Sequence, residues 1–169
     1  MDRIYRLEVT PLPEERPPRY LLDDIAALGV EGVERVERND LYFLRGDLSA
    51  ADRERLCAEL LVDPVTQRGA WAADGEEVYT PDGAIRVEVG LLHGVTDSVA
   101  ANLVARARLL GVTGLRAAAT AQSYLVYGAV RVADVHAIAR RLLYNDVIQY
   151  YQIGCLTSHV GAEPPEPEM

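Results

Sequence analysis

The sequence repeats itself at a shift of 82 residues, which limits the fold to two copies of one small unit. Leu28-Gly29-Val30 recurs as Leu110-Gly111-Val112, Gly32 as Gly114, Tyr42 as Tyr124 and Gly46 as Gly128. Ala51-Asp52, Leu60-Leu61, Val65 and Gln67 recur as Ala133-Asp134, Leu142-Leu143, Val147 and Gln149. Residues 28–67 align with their copy without a gap and hold 12 identities in 40 positions, against about 3 expected from ordinary residue frequencies. Further upstream, Arg6-Leu7-Glu8-Val9 matches Arg86-Val87-Glu88-Val89 at a shift of 80. Half of a 169-residue chain makes a marginal core by itself. The expected division is a first repeat over 1–68, a connector over 69–84, a second repeat over 85–155 and an acidic, Pro-rich tail over 156–169.

Each unit reads β-α-β-α-β. The opening strand alternates Ile4, Arg6 and Glu8 with Tyr5, Leu7 and Val9, and residues 85–89 match it. A first helix is expected over about 19–28, with Leu21, Leu22, Ile25 and Leu28 inward, and over about 97–110, with Val99, Leu103, Ala107 and Leu110 aligned. Thr96, Asp97 or Ser98 can cap the second of these, and Gly29 and Gly111 stand where a left-handed C-cap is wanted. A long strand follows over about 33–45 and 115–127, then a helix opened by Ser49-Ala50-Ala51-Asp52 with capping-box spacing. Last strands are expected over 64–67 and 146–153.

Leu41-Tyr42-Phe43-Leu44 and Tyr124-Leu125-Val126-Tyr127 do not alternate apolar with polar, so these strands need cover on both faces. The unit's own helices cover one face, and the other copy is the nearest cover for the second. The fold class expected is α+β, a two-sheet sandwich of two repeats with four helices outside. The connector carries Trp71, read as a packing plug, and turn signals at Ala73-Asp74-Gly75 and Pro81-Asp82-Gly83.

Chemistry is sparse. A net charge of −9 disfavours a nucleic-acid or anionic-membrane partner. No apolar run approaches a membrane span, and Met1-Asp2-Arg3-Ile4-Tyr5 enters a strand pattern directly, so a cytoplasmic protein without a secretory leader is expected. Cys57 and Cys155 match no metal or redox spacing; Cys57 reads as a small core residue. His93, His136 and His159 are scattered, with His136 on a helix surface. Asp23-Asp24 and Glu76-Glu77 read as solvated pairs. All seventeen basic residues are arginine, a compositional preference of high-GC or thermal chains and not a functional signal. No catalytic, cofactor-binding or metal site is expected on this chain.

The units resemble the PurS-type small subunit of phosphoribosylformylglycinamidine synthase, the amidotransferase of purine biosynthesis. The resemblance rests on the charged opening strands, Gly94-Val95-Thr96-Asp97 entering the first helix, the Leu-Gly-Val helix ends, the Tyr42 and Tyr124 strands, and the endings at 60–65 and 142–148. It covers about 3–67 and 85–153. Copy one departs from it, reading Pro11-Leu12-Pro13-Glu14-Glu15-Arg16-Pro17-Pro18 in place of the Gly-Val-Thr-Asp loop. The resemblance implies a dimer-like arrangement, here within one chain as in the N-terminal two-repeat domain of fused synthases, with the second helix and last strand exchanged between units. It implies a non-catalytic adaptor that joins a synthetase and a glutaminase subunit, in a complex using ATP, magnesium and glutamine. His93, Gly94, Thr96 and Asp97 are then the candidate partner contacts. Two other readings stay open: a regulatory module with a small molecule at the repeat interface, and an enzyme built on His93 with Asp97.

Overall fold

The computed structural model describes residues 2–73, 76–92 and 94–156. The chain is α+β. Strand β1 (Arg3–Pro11) leads through a 3-10 turn (Pro13–Glu15) to α1 (Leu22–Ala27), β2 (Val33–Gly46), α2 (Ala50–Leu56) with a π-helical turn (Cys57–Leu61), and β3 (Gln67–Ala73). The same order follows in β4 (Ala84–Leu91), α3 (Ser98–Leu109), β5 (Leu115–Gly128), α4 (Val132–Ile138) with its π turn (Ala139–Leu143), and β6 (Gln149–Ile153). From β2 to the start of β6 the elements recur at the 82-residue spacing of the sequence repeat.

All six described strands lie in one antiparallel sheet, ordered β3-β1-β2-β5-β4-β6, where two stacked sheets were expected. The reason is the pairing of β2 with β5, which runs from Val33 opposite Gly128 to Gly46 opposite Leu115 and joins the halves edge to edge. β1 pairs only with the second half of β2, from Gly46 to Asp40, and β4 only with the second half of β5.

The register places Val36, Tyr42 and Leu44 of β2 on one face with Tyr124 and Val126 of β5. That face carries the helices in two clusters. One holds Leu7, Leu44 and Leu56 with Leu103 and Ala107 of α3; the other holds Val87, Val126 and Ile138 with Ile25 of α1. The first helix of each half thus packs in the core of the other half. The second helix and last strand stay with their own opening strand, contrary to the exchange implied by the resemblance.

The opposite face is also buried. Leu41 and Phe43 pack there with Ala121 and Leu156. Arg6 of β1 bonds to Glu88 of β4 across β2 and β5, a span of about 14 Å in a flat sheet. The sheet therefore curls around its helix-free face. This curl, not a second sheet, covers the non-alternating strands.

Several local boundaries differ from expectation. α1 starts at Leu22 and not near 19, because Arg19 and Leu21 take left-handed backbone angles (φ 54° and 61°) after Pro17-Pro18. Residues 64–66 form a turn instead of a strand: Val65 N–H donates to Asp63 Oδ1, and Asp63 N–H donates to Gln67 Oε1. The last strand of copy one is β3, inside the expected connector, so Trp71 is a strand residue opposite Leu7, packed on the first cluster. β6 starts at Gln149, not 146, after the same turn built on Asn145. Val99 is exposed and Ala100 is buried in its place. Cys57 is only half-buried. Gly29 and Gly111 do take left-handed angles at the helix ends, and the Ser49–Asp52 capping box forms.

Candidate functional site

The opening strands alternate, so Arg6 and Glu8 of β1 and Arg86 and Glu88 of β4 all face the inside of the curl. They pair crosswise. Arg6 Nη1 donates to Glu88 Oε1 at 2.6 Å and Arg6 Nη2 to Glu88 Oε2, a fork-to-fork pair. Arg86 Nη1 donates to Glu8 Oε2 at 2.7 Å, to Ser123 Oγ at 2.8 Å and to Glu88 Oε2 at 3.2 Å. Each half thus supplies the arginine for the other half's glutamate. Arg86 also donates to Thr80 Oγ1 and Tyr79 O, which ties down the segment leading into β4. Leu156 N–H donates to Glu88 Oε1, and Asn39 Nδ2 to Glu8 Oε2. Sequence reasoning saw the two Arg-x-Glu pairs as strand alternation and missed their pairing; their recurrence at a shift of 80 was the available signal.

Burial pushes the Glu8 carboxyl up, but the Arg86 guanidinium beside it outweighs that and holds it below the ordinary carboxylate value of 4.5. A depressed carboxylate stabilises the fold above its unfolded-state pKa, and the contribution goes as pH falls through the folded value. Glu8→Gln is therefore expected to flatten the loss of stability between about pH 5 and pH 3 relative to wild type. Urea midpoints across that range measure it, and parallel curves would contradict it.

Beside the network lies a cleft of about 520 Å³ between β1, the first half of β2, β3 and residues 77–81. Glu37 holds Arg16 Nη1 at 2.5 Å and Arg35 Nε at 3.0 Å, and Arg35 lies 4.0 Å above the Tyr127 ring. Asn39 Oδ1 and Arg16 Nε are buried without a hydrogen-bond partner.

The candidate contact loop lies elsewhere. His93 falls outside the described residues, as do His159, Asp74-Gly75 and the tail from 157. Gly94 and Thr96 are exposed. Asp97 is structural: Oδ1 accepts from Ala100 N–H at 3.0 Å, capping α3, and Oδ2 accepts from Thr120 N–H at 2.7 Å and Thr120 Oγ1 at 3.0 Å. Asp97→Ala is expected to cost about 2 kcal/mol, more than a cap alone, because a backbone donor of β5 is orphaned as well. Chemical denaturation measures it, and Asp97→Asn should recover little, because an amide offers one acceptor oxygen and its NH2 would face the other backbone donor.

His136 is half-buried on α4 and not on an open surface; its Nδ1 lies 2.9 Å from Tyr151 Oη, which also accepts from Arg140 Nε. Asp23, Asp24, Glu76 and Glu77 are exposed. Among the described residues, no three His, Cys, Asp or Glu side chains are grouped to hold a metal, and no helix is long and apolar enough to cross a membrane. No protein-family model matches the chain, and no curated protein matches it.

Proposed function

We propose that this chain is a non-catalytic adaptor of a phosphoribosylformylglycinamidine synthase, a pseudo-dimer of two PurS-like repeats working in the cytoplasm. It bridges a synthetase and a glutaminase subunit so that ammonia passes between them; ATP, magnesium and glutamine are used by those partners. The observation that carries the reading is a two-ended body locked at its centre. The β2–β5 pairing and the crossed Arg6–Glu88 and Arg86–Glu8 bonds fix the halves to each other. Each half then presents the same side-chain-bonded turn, with Val65 and Val147 each 77% exposed. The entries to the first helices differ, Pro-rich at 11–18 in one half and Gly94-Val95-Thr96-Asp97 in the other. Equivalent ends with unlike loops suit a scaffold that holds two different partners in one register.

Sizing chromatography of the chain mixed with a synthetase and a glutaminase subunit from the same source tests this. The three are expected to co-elute, and Val65→Asp with Val147→Asp to release at least one partner. Separate elution of all three at micromolar concentrations would contradict the proposal.

A further inference from the structure

A polar cleft of about 670 Å³ opens at the end of the β2–β5 ladder where Gly46 meets Gly114, a volume in the range of small-molecule sites. Three arginines from three elements line it: Arg45 of β2, Arg108 in the last turn of α3 and Arg116 of β5. The ladder slips here, pairing Arg45 with Ala117 and Gly46 with Leu115, so Arg116 is the extra residue of a bulge. Arg108 and Arg116 are exposed, and of the Arg45 guanidinium only Nε is buried, so a solute in the cleft can reach all three charged groups. Among the described residues Arg45 and Arg108 make no ion pair and no side-chain hydrogen bond, and Arg116 is paired with Asp2 at 3.0 Å.

The equivalent end of the same ladder shows that the fold does not require these arginines. At the 82-residue shift Arg45, Arg108 and Arg116 correspond to Tyr127, Ala26 and Glu34, and the exposed Thr113 to Glu31. Gly128 and Gly32 keep the close backbone approach there, and Glu34 is the extra residue of the bulge. Arg35 at that end is paired with Glu37 and lies over the Tyr127 ring.

A chain of net charge −9 thus gathers three arginines at one end of a ladder whose other end replaces every one of them. Asp47 and Asp52 share the lining, which leaves one positive charge in excess, and Asp52 Oδ2 already accepts from the Ser49 backbone N–H. Guanidinium groups match the oxygens of both carboxylates and phosphates. A carboxylate presents its two oxygens in one plane. A phosphate presents its oxygens around a tetrahedron, which suits donors standing on a strand, a helix end and a bulge. We infer that the cleft binds the phosphate group of a small molecule, held by Arg45, Arg108 and Arg116.

Inorganic phosphate and glycerol 3-phosphate are the probes, with methyl sulfate, a tetrahedral monoanion, as the control. Each is titrated into the full chain at constant ionic strength and about pH 7.5, where phosphate is mostly dianionic, while the Gly111 and Gly114 backbone amides are followed by ¹⁵N NMR. A phosphate probe is expected to shift both amides saturably and to bind about tenfold more tightly than methyl sulfate. Tighter binding of glycerol 3-phosphate assigns the site to a phosphate ester, and equal or tighter binding of inorganic phosphate assigns it to the free ion. Arg108→Gln and Arg45→Gln should each weaken binding about tenfold. Arg106→Gln, exposed on the same helix but outside the cleft, should leave it unchanged. Thr113→Glu puts the carboxylate of the equivalent end at an exposed loop position, and should abolish binding in a protein that melts like wild type. No saturable response to either phosphate, equal binding of methyl sulfate, equal losses in Arg106→Gln and Arg108→Gln, or unchanged binding to Thr113→Glu would overturn the inference. None of these outcomes bears on complex formation with the two enzymes.

Discussion

Glu88→Ala is expected to destabilise the protein by about 3–5 kcal/mol, the cost of breaking a buried ion pair from one side. Glu88 is fully buried and accepts from Arg6, Arg86 and the Leu156 backbone. Its removal leaves two guanidinium groups inside the curl with reduced compensation. The melting temperature of a chain this size should fall by roughly 10 °C. The exposed Arg19–Asp23 pair is the control: Asp23→Ala should leave the urea midpoint essentially where it is in wild type. A Glu88→Ala loss under about 1 kcal/mol would mean that water reaches the network and that the sheet does not close around it.

Gly46→Ala is the second large effect. A Cβ on Gly46 would sit 2.0 Å from Gly114 O, and one on Gly114 would sit 2.1 Å from Asp47 O. The opposite end of the β2–β5 ladder is built alike, with the Cβ of a residue at Gly128 only 2.0 Å from Gly32 O. These contacts are with backbone, which cannot rotate aside, and Asp47 N–H already donates to Gly114 O. We expect a cost of about 3 kcal/mol at either end, from forcing the central strands apart. Urea denaturation of Gly46→Ala and Gly128→Ala checks it. A near-neutral result at both sites would show that the halves do not approach so closely. The same contacts give a physical reason for two repeated identities, Gly32 with Gly114 and Gly46 with Gly128.

Much of the local structure was legible because its causes are local. Leu28-Gly29 and Leu110-Gly111 end helices through a left-handed glycine, and Ser49 with Asp52 closes a capping box. The unbroken run at 41–44 correctly required burial on both faces. The covering element could not be read, because periodicity reports that a face is buried and not what lies on it. A sheet that curls on itself and a pair of stacked sheets leave the same pattern. β3 was missed because Gln-Arg-Gly-Ala-Trp-Ala-Ala has no β-branched residue and carries a glycine inside it. The shortened α1 follows from left-handed angles at Arg19 and Leu21, which no composition rule assigns to those residue types. Arg6-x-Glu8 and Arg86-x-Glu88 read only as strand alternation. Their burial depends on long-range register, and so does the cleft they border.

The most direct test of the bridging account is reconstitution. Synthetase and glutaminase subunits from the same source are combined with formylglycinamide ribonucleotide, ATP, magnesium and glutamine, and amidine formation is followed with and without this chain. The account predicts glutamine-dependent activity only when the chain is present, with none from the chain alone. Full glutamine-dependent activity in its absence, unchanged when it is added, would contradict it.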